Sequence, residues 1–176
     1  MEIKASCRLD LESMRALVHL RAYRGKSPKK RLTASLIMLP LLYALIIFEM
    51  IAFGINTLLV VLLVVTVALT FLTVYNHFLM PKASYKRLGV MQGSINSYTF
   101  RDEDIVVSTV SSEYNGEAIV SYSVIVSAFE TSRYFFLTQT NSTCFVVDKS
   151  TVLGGTAEQL RQKLQSAVPK YVLCKY

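Results

Sequence analysis

"ETSRYFFLTQTNSTCFVVDK", residues 130–149, decides what kind of fold this chain has. It holds four aromatics and several β-branched residues around a polar centre, so it can be read as a membrane span, an active-site floor or part of a sheet. A span needs roughly 20 consecutive apolar residues. Here the apolar runs are only Tyr134–Leu137 and Cys144–Val147, and Gln139–Thr143 would lie unsatisfied in mid-bilayer. The stretch therefore reads as a β-hairpin with its tip at Gln139–Ser142, in a water-exposed domain with aromatics on the buried face.

Working outward, the neighbouring segments have the same character. Residues 95–100 suit a strand, "RDED" a charged turn, and "IVVSTVSS" (105–112) is strongly β-branched with no helical period. Asn115-Gly116 is a strong hairpin signal, predicting that 105–112 pairs with 118–123 through a turn at those two residues. After Gly154-Gly155, Thr156 is placed to cap a helix in which Leu160, Leu164 and Val168 share one face. Residues 81–176 thus predict an antiparallel β domain closed by one C-terminal helix.

The middle of the chain differs. Between Leu32 and Met80 the only charged side chain is Glu49, whereas residues 1–31 carry nine Lys/Arg against three Asp/Glu. Two spans follow, about 32–53 and 57–78, separated by "GIN" and forming a helical hairpin. Pro40 is a candidate kink. Lys29, Lys30 and Arg31 before the hairpin, with Lys82, Lys86 and Arg87 after it, put both termini on the cytoplasmic side. Residues 1–9 suit a short strand. Asp10 caps a helix to about Arg24 with Gly25 as its stop, an amphipathic helix that could lie on the inner leaflet or, the favoured reading, pack on the C-terminal domain. Residues 25–31 read as a cationic linker.

Three segments result: 1–31, a cytoplasmic strand, amphipathic helix and linker; 32–80, the transmembrane hairpin; and 81–176, a cytoplasmic β domain. The fold class is membrane α+β.

Residue chemistry points away from an enzyme. Cys7, Cys144 and Cys174 are scattered and odd in number, without zinc spacing, and read as free thiols. No phosphate-loop, dinucleotide or zinc-protease motif is present. His19 lies in the amphipathic helix and His77 at the inner membrane boundary. Asp102, Glu103 and Asp104 lack calcium-loop spacing and read as solvated surface. Neither a catalytic residue, a metal nor a cofactor is assigned. Three residues are candidates for function: Glu49, as an intramembrane carboxylate, and Arg133 and Lys149, which with Arg161 and Lys163 could form a basic face toward lipid or an acidic partner. Nucleic-acid binding is not expected.

"YTFRDEDIVV", "NGEAIVSYSVIVSAFETSRYFFL" and "CFVVDKSTVLGGTAEQLRQKL" together resemble the YcxB-like family of bacterial membrane proteins. Tyr122-Ser123-Val124-Ile125 and Glu130 through Leu137 carry the match best, while Asp148-Lys149 stands where the family has Pro-Lys. The resemblance covers essentially the whole chain. It implies a pleckstrin-homology-like barrel at the C-terminus and a bacterial cytoplasmic-membrane location, and carries over no functional residue. The expected role is a non-enzymatic, membrane-tethered interaction or scaffold module, with the bilayer and a cytoplasmic protein as partners and self-association left open. The alternative is a small transport or channel component using Glu49 in an oligomer.

Overall fold

The computed structural model describes residues 2–23, 28–139 and 143–174, so Gly25 and the hairpin-tip residues 140–142 lie outside the described residues. It is an α+β structure with two four-stranded sheets. Strand β1 (Ile3–Arg8) leads into helix α1 (Leu11–Tyr23), and α2 (Pro28–Phe53) and α3 (Thr57–Val74) form an antiparallel pair. A π-turn at Tyr75–Leu79 and α4 (Met80–Arg87) continue α3 without a break. Then follow β2 (Ile95–Phe100), β3 (Asp104–Val110), β4 (Asn115–Ser121), β5 (Ser127–Glu130), β6 (Tyr134–Thr138), β7 (Cys144–Asp148), α5 (Ala157–Ala167) and β8 (Tyr171–Leu173).

The first sheet has the order β1-β2-β3-β4, antiparallel throughout. Residues on both sides of the helical hairpin therefore share one ladder: Arg8 pairs with Ile95, and Ile3 with Phe100. The hairpin is an insertion between the first and second strands. Its two ends are pinned together by Leu9 N–H donating to Ser94 O (2.8 Å) and Gly93 N–H donating to Leu9 O (2.8 Å).

The second sheet has the order β7-β6-β5-β8. The opening stretch supplies β6 and β7, paired antiparallel from Tyr134–Asp148 to Thr138–Cys144. One strand departs from the expected antiparallel domain ended by a helix: β8 follows α5 and runs parallel to β5. Only the return of α5 across the sheet delivers this three-residue strand to its partner. The sheets join where β1 meets the turn after β7. There Lys4 and Leu153 exchange backbone bonds, and the Thr151 hydroxyl donates to Ser6 O (2.7 Å). Gly154 permits this closure, since its φ is +72° and a Cβ would stand 2.8 Å from Glu2 O.

The core lies between the sheets. Phe135, Phe136 and Leu137 are fully buried with Phe100, Ile125 and Ile105. Helix α5 starts in the Thr156–Gln159 capping box and inserts Leu160 and Leu164, as their spacing predicts. Helix α1 packs on the same core through Leu17 and Leu20, matching the favoured of its two readings. Asp10 caps it: Ser13 N–H donates to Asp10 Oδ1 (2.8 Å).

Two local expectations are corrected. Asn115-Gly116 is not the hairpin turn; both residues pair inside β4, with Val110 and Thr109. The turn is Ser111–Tyr114, where the Ser111 hydroxyl accepts from the Glu113 and Tyr114 N–H groups. A serine acceptor that closes the turn earlier outweighs the glycine signal. Gly116 instead makes room for the Tyr114 ring, which a Cβ there would strike. The linker expected over 25–31 is shorter, because α2 already begins at Pro28, whose fixed φ suits a first helical position. Pro40 lies inside α2, which runs through it.

The helical pair is built on another principle. Leu32–Phe53 and Thr57–Arg87 are both long and apolar enough to cross a membrane, and only 6% and 11% of their most apolar windows are buried. They are not core helices of the sheet domain. On α3 the shielded positions Leu59, Leu63, Thr66, Thr70 and Thr73 recur at alternating steps of four and three, as in a left-handed helix pair. Ile46 of α2 is buried on this seam. The threonine hydroxyls bond back to carbonyls one turn earlier, Thr66 to Leu62 O and Thr70 to Thr66 O (both 2.8 Å), so the seam carries its polar groups satisfied.

Candidate functional site

Charged chemistry gathers in two places, one inside the sheet domain and one at the neck where the hairpin enters it. Inside, Glu130 at the end of β5 is fully buried. Its carboxylate accepts from Arg161 Nε (2.7 Å) and Nη2 (2.6 Å) on α5, from Lys149 Nζ after β7, and from the Tyr171 hydroxyl on β8. Burial acts to raise its pKa, but the hydrogen bonds from Arg161, Lys149 and Tyr171 prevail and hold it down at about 2. Four elements meet on one carboxylate. This is a clamp that ties α5 and β8 to the sheet, with both carboxylate oxygens engaged by donors.

Lys149 and Arg133 are placed by this chemistry. Lys149 spends its ammonium on Glu130 and on Thr131 O (2.5 Å), above the Phe135 ring. Arg133 is half exposed and bridges Glu12 of α1 (2.5 Å) and Asp148 (3.3 Å). Arg161 also meets Glu158, and Lys163 meets Asp102 at 3.0 Å. All four cations of the expected basic face thus have carboxylate partners. Asp102 of the acidic triplet is engaged by Lys163, and no group of three or more metal-ligating side chains occurs among the described residues.

The thiols are set back from chemistry. Cys7 and Cys174 are buried. Desolvation pushes the Cys7 thiol up to about 12, and Cys144 up to about 11.

At the neck the structure joins two residues that the sequence holds far apart. His19 of α1 stacks on His77, with ring centroids 4.6 Å apart and planes at 18°. His19 Nε2 also lies 3.4 Å from His77 O. The π-turn at Tyr75–Leu79 carries His77 where α1 packs, and such a turn offsets the backbone register by one residue. Burial lowers the His19 pKa and favours the neutral ring. Nothing in the spacing of residues 19 and 77 announces the pair; a histidine among apolar helix positions is its only sequence trace.

Glu49 is half-buried and lies three residues beyond Ile46, on the side of α2 turned to α3. It lies far along the hairpin from the His19–His77 neck. The two candidate regions are therefore separate.

Comparison with protein-family models, with curated proteins and with solved structures found no match for this chain.

Proposed function

We propose that this chain is an integral membrane protein of the YcxB-like kind, which holds a pleckstrin-homology-like domain at the inner face of the cytoplasmic membrane as a non-enzymatic interaction module. One observation carries the reading: two long helices with outward apolar surfaces, Ile37, Leu41, Phe48, Val64 and Phe71 among them, leave a well-packed sheet domain at a single neck. In water such a surface would associate or aggregate; in lipid it is the natural exterior. The barrel comparison is supported by four strands, then three, then a helix, with the hairpin inserted in the first connection and the short β8 added after the helix. The module reading draws on the engagement of the domain's buried carboxylate and its cations in structural ion pairs. Tethering then supplies the advantage, by raising the local concentration of the domain for partners at that surface.

Topology is tested by labelling single introduced thiols in intact cells. The native cysteines give a low background, because two are buried and Cys144 is pushed well above neutrality. Ile55→Cys, in the exposed turn between the helices, is expected to react from outside, and Glu117→Cys in β4 only after permeabilisation. Outside reactivity at Glu117→Cys sinks the arrangement. For the interaction role, a photocrosslinker at exposed Ile119 is expected to give a discrete protein adduct in cells.

The transport alternative is favoured by one fact, the inward position of Glu49 on the seam. It requires that Glu49→Gln change proton or ion flux in liposomes; unchanged flux removes it.

A further inference from the structure

We infer that the neck carries a docking surface for anionic phospholipid headgroups, a collar of Arg8, Arg15, Lys82, Lys86 and Arg87; this rests on the membrane reading above. The five side chains come from β1, α1 and α4, and all are exposed. None belongs to an ion pair among the described residues.

Packing brings them to one level. Helix α1 lies against α4 and the π-turn, and Arg15 is close enough for its charge to act on His77 across that contact. The Arg8 guanidinium lies beside Gly93, 3.7 Å from where a Cβ would stand, just past the turn that ends α4. Lys82 and Lys86 stand one helical turn apart.

The acids that could neutralise the collar are turned to other work. Glu2 faces Arg101, and Glu12 and Asp148 hold Arg133; Asp10 caps α1 and, with Asp148, lines the cavity beside Arg8 without an ion pair to it. From Thr57 to Phe100 there is no acid at all. In the sheet domain Arg101, Arg133, Lys149, Arg161 and Lys163 each have a carboxylate, and only the scattered Lys4 and Lys170 lack one among the described residues. Unpaired positive charge is thus concentrated at the neck.

Depth identifies the occupant. Exposed apolar residues run from Leu58 to Met80, a helical length of about 33 Å, close to the ~30 Å hydrocarbon core. Lys82 follows two residues later, at the level of lipid phosphates. Orientation during insertion needs cations only in the sequence flanking the spans. It does not require Arg8 and Arg15, 24 and 17 positions before Leu32, to join the same collar. Ammonium and guanidinium donors facing the membrane plane fit the phosphodiester of an anionic lipid.

The full chain is reconstituted into nanodiscs of equimolar phosphatidylcholine and phosphatidylglycerol, and retained lipids are weighed by native mass spectrometry. Phosphatidylglycerol is expected to be enriched over the bulk mixture, and high salt to weaken the enrichment. A juxtamembrane cation contributes up to about fivefold in membrane affinity. The triple variant Lys82→Gln/Lys86→Gln/Arg87→Gln is therefore expected to reduce the enrichment at least about threefold, and Arg8→Gln/Arg15→Gln by a smaller factor. Lys163→Gln/Lys170→Gln, equal in charge to the double variant but in the sheet domain, is expected to leave it intact. Carbonate-resistant flotation is measured on every variant. Unchanged enrichment in both collar variants, with flotation intact, overturns the lipid surface and leaves the membrane reading standing. Failure of the unmodified chain to float removes both. Binding of inorganic phosphate without phosphatidylglycerol enrichment also overturns the inference, in favour of a soluble anion.

Discussion

The sheet domain and the helical hairpin solve opposite problems in one chain. The domain buries Phe135, Phe136, Leu160 and Leu164 completely and admits a carboxylate only by surrounding it with donors. The hairpin buries almost nothing, and leaves its apolar side chains outward while turning threonines inward. In water, burial of apolar surface drives association and an unpaired polar group in the core is costly. In lipid, the surrounding proposed for the hairpin, apolar surface gains nothing from leaving its solvent, so that close packing and self-satisfied hydroxyls would hold the pair together. The difference teaches that the same residue types must be weighed by the solvent around them.

The comparison breaks most easily at Glu130. Glu130→Ala leaves Arg161, Lys149 and Tyr171 without their acceptor and is expected to destabilise the sheet domain by about 3–5 kcal/mol, read by urea denaturation. Flotation with membranes should be unaffected. If both are lost together, the two regions are not separate in the way described.

Acid probes the same carboxylate without mutation. The folded Glu130 sits at about 2, below its ordinary 4.5, so its contribution is present above 4.5 and is lost as pH falls through about 2. The domain is expected to weaken progressively over that window, followed by near-ultraviolet circular dichroism. A flat profile down to pH 2 contradicts the clamp.

Within the hairpin, on the proposed membrane reading, Ile46→Ala removes seam packing but no hydrophobic transfer energy, since lipid would replace lipid-like contacts. The expected loss is below about 2 kcal/mol in a steric-trapping measurement, against a larger cost for a buried leucine such as Leu164 in the domain. Equal costs would erase the distinction.

Smaller effects sharpen the boundary. His19 has a lowered pKa, so its docking contribution is present above its ordinary 6.5 and lost as pH falls below that through the folded value. Faster amide exchange in α1 at mildly acidic pH is expected, and His19→Phe should flatten that dependence. Arg15 stands close to the pair and adds to the cost of protonation. Least of all, Tyr114→Ala uncovers Gly116 on an exposed strand and should cost under about 1 kcal/mol in thermal melting.

The opening stretch shows what could be read directly. Its two short apolar runs exclude a span and define β6 and β7, because period and run length act locally. The capping of α1 by Asp10 and of α5 by Thr156 is equally local, since a side chain reaches only the next turn. Asn115-Gly116 misled because a nearer serine offered the chain another turn. Lys149 looked available in one dimension, whereas folding set it on a glutamate nineteen residues away.

The two apolar helices, the β character of 95–148, the final amphipathic helix and the cationic flanks are all encoded in runs, periods and near neighbours along the chain. Folding in three dimensions is what makes β1 share a ladder with β2 across the inserted hairpin, gathers four elements on Glu130, and brings His19 to His77. It also engages Glu2 with Arg101 and Glu12 with Arg133, leaving the collar cations outside the ion pairs among the described residues. The reason is physical: charge pairing and sheet closure depend on distances in space between residues far apart along the chain, and no local pattern specifies them.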